Sequence, residues 1–339
     1  MASAASLPAS APLLRDFMIQ NVCLDMRGVV LEGISPIDGK GRCITQRDLM
    51  PGESLPFHKH DQPASADRAM MPRGYQRHDS FPVETAAFGV VVEHSFDFGG
   101  GEGRRFGVFD AARGDGGDIT LVAPDTVSFA ATEDGGAGLQ LFVGPNCGRR
   151  VDAAALAGSW LIARAGPGVP LGGQSVARLK DLREGRQESC PTRLDAAFTR
   201  WYVQPVRYRA GEGQGVPVTL TTLISEHYGG EHPASAGHVE RFYFTRELGS
   251  TRWERWQNLA RSHDAGELAK DASAFASAGR CSKAAIPAGG APFVMVDCRE
   301  WTLIVPPDNP SGDRPGFFID ALRSRHLAAG LLGAPASRD

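Results

Sequence analysis

A chain of 339 residues with 42% hydrophobic and 22% charged side chains can bury a core without metal or disulfide help. Its net charge of −3 gives no general attraction to nucleic acid or anionic lipid, and no apolar run reaches the length of a membrane span. The 41 Gly and 23 Pro fall between short apolar runs, which favours many strands joined by turns.

Residues 1–18 are expected to be a disordered lead-in, since the stretch up to Pro12 is small and polar. Met1-Ala2-Ser3-Ala4-Ala5-Ser6 reads as a start placed on a chain already trimmed after small residues, which points to a periplasmic or secreted protein. A first strand is expected over Arg27–Ile34, turning at residues 35–39. Then comes His58-Lys59-His60-Asp61. Two His one residue apart share a strand face and could share a metal. Gly52, five residues, then His58-x-His60 resembles the first half of the cupin metal motif. That resemblance implies a cupin-like metalloenzyme with His58 and His60 as ligands. The Glu of such a motif is missing, because Asp61 comes too early and Asp67 too late, so His78 or Asp79 would have to fold back. Residues 62–80 read as a long irregular loop, from which Arg77 and His78 could reach a substrate site in the second half.

Strands are expected over residues 87–98, 105–109, 118–122, 126–132, 139–143 and 159–164, separated by Gly/Asp turns. With strands on both sides these turns are not phosphate loops, although Asp115, and separately Asp308 and Asp313, could hold calcium. Otherwise no cofactor is implied. Residues 166–178 read as a linker between an N-terminal β-domain (19–165) and a C-terminal β-sandwich domain (179–327), with a tail at 328–339. The second half adds strands at 198–208, 217–225, 293–296 and 301–305, and helices at 265–278 and 316–332. The fold expected is mostly β: an antiparallel β-sandwich or jelly-roll-like architecture, as two packed β-domains with a few short helices. None of the six Cys forms a C-x-x-C pair. The locally simplest pairing is Cys23–Cys43, Cys147–Cys190 and Cys281–Cys298, again suiting an oxidising compartment.

The most chemically loaded stretch is Thr221–Asn258, read as a hairpin from His238 to Glu247 and back from Thr251 to Gln257. Along the outgoing strand, period-two alternation puts Val239, Arg241, Tyr243 and Glu247 on one face and His238, Glu240, Phe242, Phe244 and Arg246 on the other. On the return strand Arg252, Glu254 and Trp256 share one face, and Trp253 and Arg255 the opposite one. Neither face is cleanly apolar, so the hairpin is expected to be a working surface. Flat rings with charged forks suit a polysaccharide or oligosaccharide partner. For a lyase, slightly favoured, Arg241 would neutralise a uronate and Tyr243 or His238 would move the proton. For a glycoside hydrolase, Glu240 and Glu254 would be the carboxyl pair if register allowed. Trp253, Trp256, Arg252, His227 and His232 would bind substrate. A non-catalytic carbohydrate-binding or cell-envelope protein would use the same aromatic surface, and a plain sheet would need only cross-strand ion pairs such as Glu240–Arg255.

Overall fold

The computed structural model describes residues 14–38, 40–53, 55–61, 77–85, 89–97, 115–132, 161–165, 171–182, 192, 194–211, 215–277, 279, 281, 285–287 and 289–305. Helix α1 (Leu14–Met18) lies within the expected lead-in; it buries Leu14, Phe17 and Met18, spaced i, i+3, i+4. Strands β1 (Asn21–Leu24) and β2 (Thr45–Asp48) form a small antiparallel pair braced by Cys23–Cys43. The expected strand over residues 27–34 is a turn, joined to Leu24 only by a bridge at Val30. The Asp25 carboxylate accepts from the Arg27 and Val29 amides at 2.8 and 2.9 Å, and this local bonding overrides the extended propensity.

Among the described residues, twelve strands then make one antiparallel sheet. They are β3 (His58–Asp61), β4 (Arg77–Thr85), β5 (Gly89–Asp97), β6 (Asp115–Val122), β7 (Thr126–Thr132), β8 (Leu161–Arg164), β9 (Gly172–Arg178), β10 (Ala196–Ala210), β11 (Val216–Tyr228), β12 (His238–Thr245), β13 (Gly249–Asn258) and β14 (Phe293–Val305). Spatial order follows chain order in each half, β3 to β8 and β9 to β14, and the halves join where β14 pairs with β3. The edges β8 and β9 are therefore consecutive in the chain. The Trp201 indole donates to Arg164 O at 3.0 Å and the Ser225 hydroxyl to Ile162 O at 2.6 Å, so β8 lies over β10 and β11. The ribbon folds back on itself like a sandwich. Val92, Val127, Phe129 and Leu161 of one half pack with Trp201, Leu223 and Phe244 of the other, and α1 joins the same core. Gly173 lies where a Cβ would come within 2.7 Å of the Trp201 ring, so only glycine lets that indole cross β9.

Several expectations change. Residues 172–178 are strand β9 instead of linker, because they ladder along β10. Residues 77–80 are strand rather than loop, and residues 293–305 form one strand rather than two. Asp115-Gly116-Gly117 lie in β6, not in a turn. The helix expected over 265–278 is α2 (Ala265–Ser277), and it packs on β14. The strands at 105–109 and 139–143, the helix at 316–332, the Asp308–Asp313 segment and Cys147–Cys190 lie outside the described residues.

The inner face of the first half carries buried polar groups. Lys59 Nζ donates to Leu248 O at 2.7 Å and Ser250 O at 3.0 Å, tying β3 to the β12–β13 turn. His78 stacks on His94 with ring centroids 5.5 Å apart, and His94 bridges the Ser80 and Thr120 hydroxyls at 3.1 and 3.0 Å. Burial, with the Lys59 charge beside it, pushes His94 down to about 3 and holds His78 well below its usual value. Such a histidine binds fewer protons folded than unfolded. Its contribution to stability is complete above the unfolded pKa of about 6.5 and is lost as pH falls toward about 3. The urea midpoint should therefore drop on acidification from neutrality to pH 4.5. His94→Gln should start less stable and show a shallower pH slope. An equal midpoint at both pH values would refute neutral burial of these rings.

Candidate functional site

The hairpin β12–β13 sets Val239 opposite Trp256, Arg241 opposite Glu254 and Tyr243 opposite Arg252 on one face. On the other, His238 meets Gln257, Glu240 meets Arg255, and Phe242 meets Trp253. Glu240 and Glu254 thus lie on opposite sides of the sheet, which removes them as a carboxyl pair. The face of Arg241 points away from the inter-sheet core and is closed. Arg241, Tyr243, Arg252, Glu254 and Trp256 all expose 5% or less.

That face is a ladder of alternating charge. Glu226 of β11 accepts from Arg200 at 2.7 Å, from Arg241 at 2.8 Å, and from the Tyr228 and Tyr202 hydroxyls at 2.7 and 3.1 Å. Glu254 accepts from Arg241 at 3.4 Å, from the Trp256 indole at 2.8 Å, and from Arg252, which reaches on to Glu300 at 3.4 Å. Three Arg face three Glu, so the cluster is charge-balanced. Its cover comes from far along the chain. Arg241 also donates to Ala285 O at 2.5 Å, Phe293 and Ala291 pack with Trp256, and Cys281 is bonded to Cys298, which stands opposite Glu254. Burial, with Glu254 beside it, holds the Tyr243 phenol well above its ordinary value and therefore protonated.

The inward face behaves differently. His238, Glu240, Phe242, Trp253, Arg255 and Gln257 are all half-buried, alternating with the closed residues of the ladder. The three in-register pairs grade from polar (His238/Gln257) through charged (Glu240/Arg255) to aromatic (Phe242/Trp253). The Glu240 carboxyl is raised, by burial first, although Arg255 and the Trp253 indole N–H, which donates to it, pull it back. Beyond Arg255 in the same row is Asp297, and beside it Arg299, bonded to Asp61 at 2.9 Å. On the β11 side stands His227, in register with Glu240. Phe129 of β7 meets Phe242 edge-on at 4.8 Å. The His238 ring lies over Gly229, where a Cβ would come within 2.5 Å of it, so glycine is what seats that imidazole.

Two arrangements have the atoms of nucleophile and base but are buried, and in one of them the polarity is wrong. His227 Nε2 is 2.9 Å from Ser225 Oγ, yet that hydroxyl donates to Ile162 O, so the imidazole must donate to it. Burial also pushes His227 down to about 3. Ser80 and His94 are likewise buried.

The remaining expected residues scatter. His232 is exposed, and its Nδ1 accepts from Ala234 N at 3.2 Å, capping the short turn Pro233–Ser235. Arg77 opens β4 opposite His60. His58 and His60 do share a face, with ring centroids 6.5 Å apart. His78 shares the face of Lys59 instead, so it cannot complete their site. Among the described residues no group of three His, Cys, Asp or Glu could hold a metal ion. Sequence reading left out Gln257, Asp297 and Arg299. Their signal is cross-strand register, which is absent from a linear pattern.

No family model matches this chain, and neither a curated protein nor a solved structure does.

Arg241→Met should take one guanidinium partner from each of two buried carboxylates and cost about 3–5 kcal/mol of stability. Because three Glu then face two Arg, adding Glu226→Gln should recover part of that loss. Urea midpoints of the single and double variants check both, and a mild effect for Arg241→Met alone would refute the ladder's role.

Proposed function

We propose that this chain is a carbohydrate-recognition protein of an oxidising compartment, periplasmic or secreted, which holds a small saccharide on the half-buried inner strip of β12 and β13. One observation carries this reading. Within strands β12 and β13 the residues that keep accessible surface are the inward six, and they combine two flat rings with a carboxyl, a guanidinium, an amide and an imidazole. Sugars need those partners: rings for their C–H faces and forked polar groups for their hydroxyls. The disulfides Cys23–Cys43 and Cys281–Cys298 support the compartment.

Recognition is preferred to cleavage on electrostatic grounds. A lyase built on Arg241 would need its positive charge for a uronate, and that charge is taken up by Glu226 and Glu254. A buried, protonated Tyr243 is likewise a poor base. In this reading Arg241, Tyr243, Arg252 and Glu254 hold the sheet, while Glu240, Trp253 and Arg255 hold the ligand.

A panel of neutral and uronic-acid sugars, titrated by calorimetry and by Trp fluorescence, tests the proposal. Trp253→Ala should weaken binding by about tenfold or more, as expected for an aromatic anchor. Trp256→Phe should lower stability, since the Glu254 hydrogen bond is lost, yet leave affinity unchanged. Loss of affinity in the Trp256 variant alone would move the site to the opposite face. Appearance of unsaturated uronate products would restore the lyase.

A further inference from the structure

We infer that the outer face of the sheet carries a separate binding platform at β9 and β10, made of Gln174, Arg200, Tyr202 and Gln204, which takes a sugar ring bearing a carboxylate. It lies on the opposite side of the sheet from the inward strip and stands whether or not that strip binds.

The charge ladder is sealed over β12 and β13 but reaches solvent at β10. Arg200 is in register with Glu226 and keeps 33% of its side chain accessible, whereas Glu226 keeps none. That carboxylate is also shared with Arg241, so the sign shown to solvent here is positive. On the same face of β9, Arg178 is paired with Glu231. Arg200 gives Nε and Nη2 to Glu226 at 3.0 and 2.7 Å, and among the described residues its Nη1 has no partner.

Tyr202 is the next residue of β10 on this face. Its hydroxyl donates to Glu226 at 3.1 Å. Burial, with that carboxylate beside it, pushes the phenol up to about 12, so the proton stays in place. The Arg200 guanidinium carbon stands 5.2 Å from the ring centre. Ring and guanidinium are therefore fixed before any ligand arrives, which lowers the ordering cost of binding. Opposite Tyr202 on β9 is Gly172, and register partners point to the same face. A Cβ there would meet only backbone, Trp201 O at 3.5 Å and Tyr202 Cα at 3.9 Å. No side chain on β9 thus stands beside the half-buried ring. Gln174, opposite Arg200, and Gln204, one step beyond Tyr202, are both exposed. Neither amide has a partner among the described residues.

Positions two apart on a strand are about 7 Å apart, so one sugar ring laid against Tyr202 from the Gly172 side can reach both neighbours. Its C–H face would meet the phenol ring. A carboxylate would accept from Arg200 Nη1 and the Gln174 amide, and a hydroxyl would meet Gln204. A neutral sugar would leave the guanidinium without that counter-charge.

The experiment uses the full chain and calorimetry, with galacturonate and glucuronate oligomers, their methyl esters, and acetate. A uronate should bind, its ester should bind about tenfold or more weakly, and acetate should not bind at the same concentration. Added salt should weaken the uronate, as for any exposed ion pair. Gly172→Ile should keep or raise the thermal midpoint, because a β-branched residue suits a strand better than glycine, and weaken the uronate about tenfold or more by standing beside Tyr202. Gln174→Ala, at an exposed side chain without a partner, should weaken it several-fold and serves if the Ile variant fails to fold. Trp253→Ala, on the inward strip, should leave this affinity unchanged. Esters that bind as well as acids would overturn the inference, as would acetate that binds as well as uronate, since the contact would then be a simple anion site. Retained affinity in Gly172→Ile at a retained midpoint, or no uronate bound at all, would overturn it too.

Discussion

Glu226 gathers two guanidinium groups and two phenols around one buried carboxylate, and in doing so ties together three neighbouring strands. Taking these charges out of water is costly, and only near-complete pairing makes the arrangement tolerable. Arg241 continues the pairing to Glu254, and Arg252 carries it to Glu300 on β14. The register of β10 to β14 is therefore coupled to charge. A slip of one residue would turn every one of these groups toward the apolar core. Because the register is held, the opposite face is fixed as well, and that is where the half-buried strip lies.

The same economy explains why groups with catalytic names can be inert. His94 and His227 each sit within hydrogen-bond reach of a serine, but both are sealed in the core and held neutral by burial. In Ser225 the proton is already committed to a backbone carbonyl. Reactivity needs access and the correct direction of donation as well as the right pair of residues.

Much of the fold was legible. Strands at 118–122, 126–132 and 217–225, the hairpin, the helix at 265–278 and two disulfides follow from short alternating runs, glycine turns and cysteine spacing. The two faces of each hairpin strand were legible too, because alternation is a local property of an extended backbone. Less visible were β9, hidden by its glycines, and Arg77–Ser80, hidden by flanking Pro and His. Their extended form is set by ladders to β10, β3 and β5, which no local pattern encodes.

For the site, the division is sharper. Sequence by itself determined that Arg241 and Tyr243 share one side of the outgoing strand and Glu240 and Phe242 the other, and that Glu254 and Trp256 are likewise divided from Trp253 and Arg255 on the return strand. It could not say which side is covered, nor that Glu240 and Glu254 are divided by the sheet rather than joined across it. Only the tertiary structure decided that, because the covering groups come from elsewhere in the chain: Ala285 and Cys281 over the ladder, Phe129 and Ile162 around the strip. Alternation depends on the geometry of one strand, whereas burial depends on every segment that packs against it.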